Sequence, residues 1–82
     1  MNQNKILIEN IDMIHTTKMG ADRIKRNLNL DMEDVVGYCK NLILSKDCST
    51  FLQGKNWYCQ IGNTRITVNS NSYTIITAHI VK

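Results

Sequence analysis

The apolar residues of this chain change their spacing near Ser45. Before it they recur every three or four positions, as in Met32, Val35, Val36, Cys39, Leu42 and Ile43; after it they alternate, as in Trp57, Cys59 and Ile61. The first spacing lays a stripe along a helix and the second lays a face along a strand, because side chains repeat about every 3.6 residues on a helix and every second residue on a strand. A chain that is helical first and extended afterwards belongs to the α+β class, with its two kinds of element segregated. The expected architecture is three N-terminal helices packed on one face of a three- to four-stranded antiparallel β-meander.

Helical spacing marks three segments. Over residues 4–14, Leu7, Ile11 and Ile14 form a stripe that needs an apolar partner. Over 17–28, Thr17 is the natural N-cap, and Gly20, Ile24 and Leu28 share one side; with no side chain, Gly20 lets another element come close. Over 31–45, Asp31 can cap the helix, Asp34 lies near its positive dipole end and Leu30 can pack on Val35. This third stripe is the broadest. It predicts that Val35, Cys39 and Leu42 bury against the sheet around Trp57 and Ile66.

Gly62-Asn63 suits a two-residue primed turn. Such a turn pairs Ile61 with Thr64, Cys59 with Ile66 and Trp57 with Val68, giving strands over 56–61 and 64–69, with flanking strands over 50–53 and 73–81. One face of the hairpin then carries Trp57, Cys59, Ile61, Ile66 and Val68. The other carries Asn56, Tyr58, Gln60, Arg65, Thr67 and Asn69. In the last strand Tyr73, Ile75, Thr77 and His79 share one side, and Ile76, Ala78 and Ile80 the other. A one-residue slip exchanges the two faces. A three-residue loop after Asn69 puts Ile76, Ala78 and Ile80 in the core, so that Thr77 and His79 join Tyr58 and Arg65.

The 82 residues make one domain, residues 1–82, able to bury ~60 to 65% of its unfolded surface. No segment is polar enough to be disordered by composition. The apolar run from Ile6 to Ile8 is too short for a signal-peptide core or a bilayer span, so a cytoplasmic protein with no membrane partner is expected. The three cysteines, Cys39, Cys48 and Cys59, are odd in number and form no C-x-x-C pair. They read as reduced thiols, two of them in the core, rather than as a disulfide framework or a zinc knuckle.

The net charge of +3 is unevenly spread: Lys18, Arg23, Lys25 and Arg26 lie close together, offset only by Asp22. Such a cluster is either a solvated helix face or a footprint for phosphate. The chain has no nucleotide-binding loop, since Gly54-Lys55 lacks the flanking glycine and hydroxyl residue. Asp31, Glu33 and Asp34 are accounted for by the helix start, so neither a metal nor a cofactor is implied.

Two histidines remain. His15 falls where the first helix should end, a common place for a histidine. His79 lies on a strand side with Thr77, and the pair His15 and His79 can be read as a general acid and base, with Thr77 holding a phosphate oxygen. Metal-independent RNA cleavage needs that pair and cations for the phosphate. Lys18, Arg23, Arg26, Lys55 and Arg65 can supply the charge, and Tyr58 a stacking surface for a base. An exposed strand face with polar residues and a hairpin packed through Trp57 and Tyr58 are the plainer accounts of the same residues.

The segments "IHTTKMGADRIKRNL", "GKNWY" and "NSYTIITAH" together resemble a family of small bacterial and phage proteins described as domain of unknown function 3781, over nearly the whole chain. The resemblance implies no activity. More distantly, the order of helices before an antiparallel sheet and the "TIITAH" strand are similar to ribonuclease toxins of the barnase, colicin and RelE type, which would nominate His15, Thr77 and His79. The absence of a glutamate on the sheet departs from the barnase pattern. The sequence therefore points to a small cytosolic protein directed at RNA, with toxin-type ribonuclease activity as the leading mechanism. The alternatives are a winged-helix DNA binder, with 31–43 as recognition helix and Gly62-Asn63 as wing tip, and a phage-type inhibitor that binds a protein target.

Overall fold

The structure is a computed structural model and describes residues 5–81. Helix α1 (Lys5–Glu9) and a 3-10 turn (Ile11–Met13) are followed by α2 (Lys18–Leu28) and α3 (Val35–Leu44). Four strands complete the chain: β1 (Ser49–Gln53), β2 (Asn56–Ile61), β3 (Thr64–Asn69) and β4 (Ile75–Ile80). They form one antiparallel sheet in the order β1-β2-β3-β4.

The first expected helix is not continuous, and residue 4, where it was to begin, lies outside the described residues. At Asn10 the side-chain amide donates to Ile6 O at 2.9 Å while the backbone N–H is shared between Ile6 O and Leu7 O. A polar side chain that competes for a helix carbonyl in this way disfavours continuation. Ile14 is already extended, and His15 forms a parallel bridge with Thr74 next to β4. Only Leu7 and Ile14 of the expected stripe are fully buried. The helical layer over the sheet is thus chiefly α2 and α3, rather than three equivalent helices.

Helix α2 begins as expected, with Thr17 Oγ1 accepting from Gly20 N at 3.0 Å. It ends at Asn29, which is left-handed at φ 54°, while Leu30 N donates back to Lys25 O at 2.9 Å. The close neighbour that Gly20 admits is local: a Cβ there would collide with Thr16 Oγ1. That hydroxyl is engaged elsewhere, donating to Ile75 O of β4 at 3.1 Å. Asn27 Nδ2 donates to Ala78 O at 3.2 Å, so α2 is fastened to β4 at both of its ends.

Helix α3 starts later than expected. Asp34, not Asp31, is its N-cap, accepting from Gly37 N at 2.9 Å. Gly37 makes this possible because a Cβ at that position would run into the Asp34 carboxylate. Val35 and Cys39 are buried as expected, but Ile43 occupies the deep position and Leu42 is only half-buried. Met32, included in the expected stripe, precedes the helix and is exposed.

The hairpin register agrees with the turn chemistry at every pair from Ile61↔Thr64 to Trp57↔Val68. Gly62 takes φ 57°, which an ordinary L-residue rarely adopts. In β4 the strict alternation fails. Ala78 faces Ile66 in the core, but a bulge between Thr67 and Val68 brings Ile75, not Ile76, opposite Val68. Ile76, expected inside, is therefore 42% exposed, and Ile80, also expected inside, is 40% exposed at the end of the strand opposite Thr64. Tyr73, expected to share the polar side, turns at φ 59° and packs on the core.

Replacing Ile43 with alanine is expected to cost ~2 to 5 kcal/mol in urea unfolding as a cavity-forming change, and Leu42→Ala distinctly less. Asp34→Ala should cost ~0.5 to 2 kcal/mol as a lost cap. Asp31→Ala should be near neutral, and equal losses at the two aspartates would contradict the helix start described above.

Candidate functional site

The face of the sheet away from α2 and α3 holds the candidate site. Each strand contributes every second residue to it, so the registers define two rows. Phe51, Tyr58, Thr67 and Thr77 lie side by side across all four strands, and Ser49, Gln60, Arg65 and His79 form the next row. Neighbouring strands are about 4.8 Å apart and the rows about 7 Å apart.

Two features stand out on this face. The rings of Phe51 and Tyr58 are stacked, with centroids 5.4 Å apart and planes at 26°. The Tyr58 hydroxyl accepts from Asn56 Nδ2 at 3.4 Å. In the next row Arg65 Nε donates to Gln60 Oε1 at 2.9 Å, and Gln60 Nε2 donates to Gly62 O at 2.9 Å. This relay steers the guanidinium while leaving its two terminal nitrogens without a partner among the described residues. His79 is directly opposite Arg65.

Of the residues the sequence nominated, Tyr58, Arg65, Thr77 and His79 are brought together here. His15 is not. Its partner is Thr74, just before β4 and five residues before His79, which separates the two imidazoles by roughly 15 Å along the chain. Both ring nitrogens of His15 are also engaged, Nδ1 with Met13 O at 2.8 Å and Nε2 with Thr74 Oγ1 at 3.1 Å. A carbonyl only accepts, so Nδ1 carries the proton and Nε2 takes the threonine hydroxyl. The ring is a structural clip between the N-terminal segment and β4.

Lys18, Arg23 and Arg26 are exposed on α2, whose inner side packs on the covered face. Met19, Asp22, Arg23 and Arg26 line a shallow depression of about 200 Å³ there. These cations therefore lie on the opposite layer from Arg65 and His79, and the single site expected from both groups is not assembled. Lys55 is exposed in the β1–β2 turn, beyond Asn56, where its carbonyl accepts from Ser70 N at 2.8 Å. The Gly62-Asn63 turn joins the two central strands of a continuous sheet, and α3 turns Val35, Cys39 and Ile43 inward. Neither arrangement is that of a wing beside a recognition helix.

Sequence reasoning missed two things. Phe51 was not nominated, although its place opposite Tyr58 follows once β1 is paired. All three cysteines, rather than two, are buried, and they come together. Cys48 Sγ lies 3.7 Å from Thr50 Oγ1, and the neighbouring Cys59 thiol, ahead of Thr50, brings Cys48 down to about 6 despite its burial. The neighbouring Cys48 thiol, together with burial, pushes Cys59 far above the ordinary thiol range. Burial alone raises Cys39 to about 11. Among the described residues no group of three His, Cys, Asp or Glu side chains is arranged to hold a metal ion. No described helix is long and apolar enough to cross a membrane.

Fold and face define a small α+β protein with helices on one side of a four-stranded antiparallel sheet and a polar, aromatic-bearing surface on the other. The chain belongs to the family described as "Protein of unknown function (DUF3781)", whose model matches residues 8–79. Neither a curated protein nor a solved structure matches it, so the architectural likeness to ribonuclease toxins gains no support.

The raised Cys39 thiol has a measurable consequence. In the unfolded chain it ionises near 9.0, whereas in the folded protein it holds its proton to about 11. The native state thus binds more protons across that interval, and its stability falls as pH rises through it. The contribution is fully present below pH 9.0 and gone above about 11, a loss of about 2 to 3 kcal/mol. Urea unfolding of wild type and Cys39→Ala at a series of alkaline pH values should show a steeper decline for wild type. Parallel declines would mean that the Cys39 thiol titrates normally.

Proposed function

We propose that the uncovered sheet face binds single-stranded RNA without cleaving it. The observation that carries this reading is the stacked Phe51–Tyr58 pair beside the Arg65–His79 row. Bases of a single strand stack on exposed aromatic rings, and the phosphates between them need cations at about one nucleotide's spacing. A row separation of about 7 Å matches that spacing. Arg65, steered by Gln60, presents its outer nitrogens as a forked donor to a phosphate. Thr77 adds a hydroxyl, and His79 adds a ring nitrogen able to bond a phosphate or a base edge.

Charge distribution favours the same face. All seven acidic residues precede Cys48, so the sheet has none, while Lys55, Arg65 and His79 are all on it or at its margin. The N-terminal half carries the compensating acids, including Asp22 beside Arg23 in the α2 depression. The sheet is thereby the more positive of the two layers, and a polyanion is drawn to it first.

Binding is favoured over the ribonuclease reading by the positions of the histidines. Cleavage without a metal needs an acid and a base on either side of one phosphate. His79 has no second titratable group of the right kind within its row, and His15 is committed to Met13 O and Thr74.

Fluorescence anisotropy with a labelled single-stranded RNA oligomer tests the proposal. Tyr58→Ala should weaken binding by ~1 to 3 kcal/mol, the usual worth of one base stacked on an aromatic side chain. Arg65→Ala should lower the log-log salt slope by about one. The double variant Arg23→Ala, Arg26→Ala should bind as wild type does, because those residues face the other way. Wild-type affinity in both Tyr58→Ala and Arg65→Ala would remove the sheet face from consideration. Degradation of the oligomer in EDTA by wild type and not by His79→Gln would restore the enzyme reading.

A further inference from the structure

The uncovered face has a third row of side chains that the RNA-binding reading leaves unused. Gln53, Asn56 and Asn69 are register partners across β1, β2 and β3, one step beyond Phe51, Tyr58 and Thr67 on the side away from Arg65. The aromatic pair thus lies between two polar rows of different kinds. One row carries a guanidinium and an imidazole, and the other carries only amides. Along β3 the two rows are separated by the span from Arg65 to Asn69, roughly 14 Å. Side chains reaching in from both leave room for one nucleotide, its phosphate on the arginine and the far edge of its base on the amides.

The three amides are not equivalent. Asn69 Oδ1 accepts from Asn71 N and Ser72 N, each at 2.9 Å, which commits it to the β3–β4 turn. Gln53 is exposed, and its amide has no hydrogen-bond partner among the described residues, so it can present donor and acceptor in either order. Asn56 cannot. Its Nδ2 donates to the Tyr58 hydroxyl at 3.4 Å, which ties the donor end to the aromatic pair and leaves Oδ1 as an acceptor with no partner among the described residues.

We propose that Asn56, held by Tyr58 and backed by Gln53, makes this face selective for bases that carry an exocyclic amine, adenine and cytosine, over uracil and guanine. The inference rests on the RNA-binding reading of the same face. An exocyclic amine has two hydrogens in the base plane, of which Asn56 Oδ1 takes one and Gln53 Oε1 the other, while Gln53 Nε2 donates to the ring nitrogen beside the amine. Uracil and guanine carry a carbonyl oxygen in that place. Gln53 can turn over to suit it, but Asn56 Oδ1 then faces another acceptor and loses its donor. Turning Asn56 over as well breaks its bond to Tyr58. Asn56 therefore decides which bases are accepted, and the Tyr58 hydroxyl acts through Asn56 as a positioning group.

The test is fluorescence anisotropy with labelled oligo(A), oligo(C) and oligo(U) of equal length, at one salt concentration and at mildly alkaline pH, where all three stay unpaired. The decisive comparison is oligo(C) with oligo(U), because the two pyrimidines offer rings of the same size to Phe51 and Tyr58 and differ in the amine. Wild type should bind oligo(C) about 10-fold more tightly than oligo(U), the usual size of one well-made amide–base pairing, and oligo(A) at least as tightly as oligo(C). Tyr58→Phe keeps the ring and frees the Asn56 amide, so it should erase the difference between oligo(C) and oligo(U) without changing the log-log salt slope. Asn56→Ala should erase it too. Equal affinity of wild type for oligo(C) and oligo(U) would overturn the base selection and leave the face an unselective RNA binder, whereas failure to bind any of the three would overturn both readings. A preference for oligo(C) that survives in both Tyr58→Phe and Asn56→Ala would also overturn the proposal. Because the decisive comparison is made on wild type, a variant that folds poorly leaves the result intact.

Discussion

The outer edge of β4 is where this fold is held together. A strand at the edge of a sheet presents unpaired backbone groups that invite further pairing, and here the N-terminal half of the chain satisfies them. His15 supplies a backbone bridge on either side of Thr74, Thr16 donates to Ile75 O, and Asn27 donates to Ala78 O. Helix α2 makes most of its tertiary contacts with this one strand, and through them Ile24 reaches the core beside Ile75 and Ala78. Without that seam, α2 and α3 would have an apolar stripe and nothing to set their direction over the sheet.

The seam also explains which parts of the structure were legible in the sequence. The β2–β3 register was readable because Gly62-Asn63 dictates a local turn, and the start of α2 was readable because Thr17 and Gly20 are neighbours. Features set by distant residues were not. The bulge that puts Ile75 rather than Ile76 in the core accompanies a strand that must also meet His15 and Thr16, some sixty residues earlier in the chain. Asp31 and Asp34 were equally good caps by type; Gly37, bare enough to receive a carboxylate, decides for Asp34. The candidate face followed the same rule. Tyr58, Arg65, Thr77 and His79 could be grouped by alternation alone, whereas the place of His15 depends on a parallel bridge that no periodicity announces.

The two layers divide the chemistry of the chain between them. Acidic residues, the α2 cations and the one ion pair among the described residues, Lys25 with Glu33 at 3.4 Å, belong to the helical half. That pair is almost wholly in solvent on the glutamate side and adds little to stability. The sheet half carries the aromatic pair, the steered arginine and, on its buried side, the Cys48 and Cys59 thiols. Among the described residues the core between them has one unsatisfied feature, the Trp57 indole N–H, which is buried with no partner among them. An orphaned donor of that kind costs about 1 to 3 kcal/mol, so the packing of Trp57 against its neighbours has to outweigh it.

The dependence of α2 on β4 bears on how the protein is made. Ribosomes deliver a chain from its N-terminus, and segments fold as their partners emerge. Here α2 is synthesised well before the strand that receives it, so its apolar side stays uncovered until β4 has cleared the exit tunnel. A chain interrupted in β3 would carry two amphipathic helices and a hairpin with no seam to close. Such a product is a natural substrate for chaperones and proteases, and quality control of this protein is in effect a test for the presence of its fourth strand.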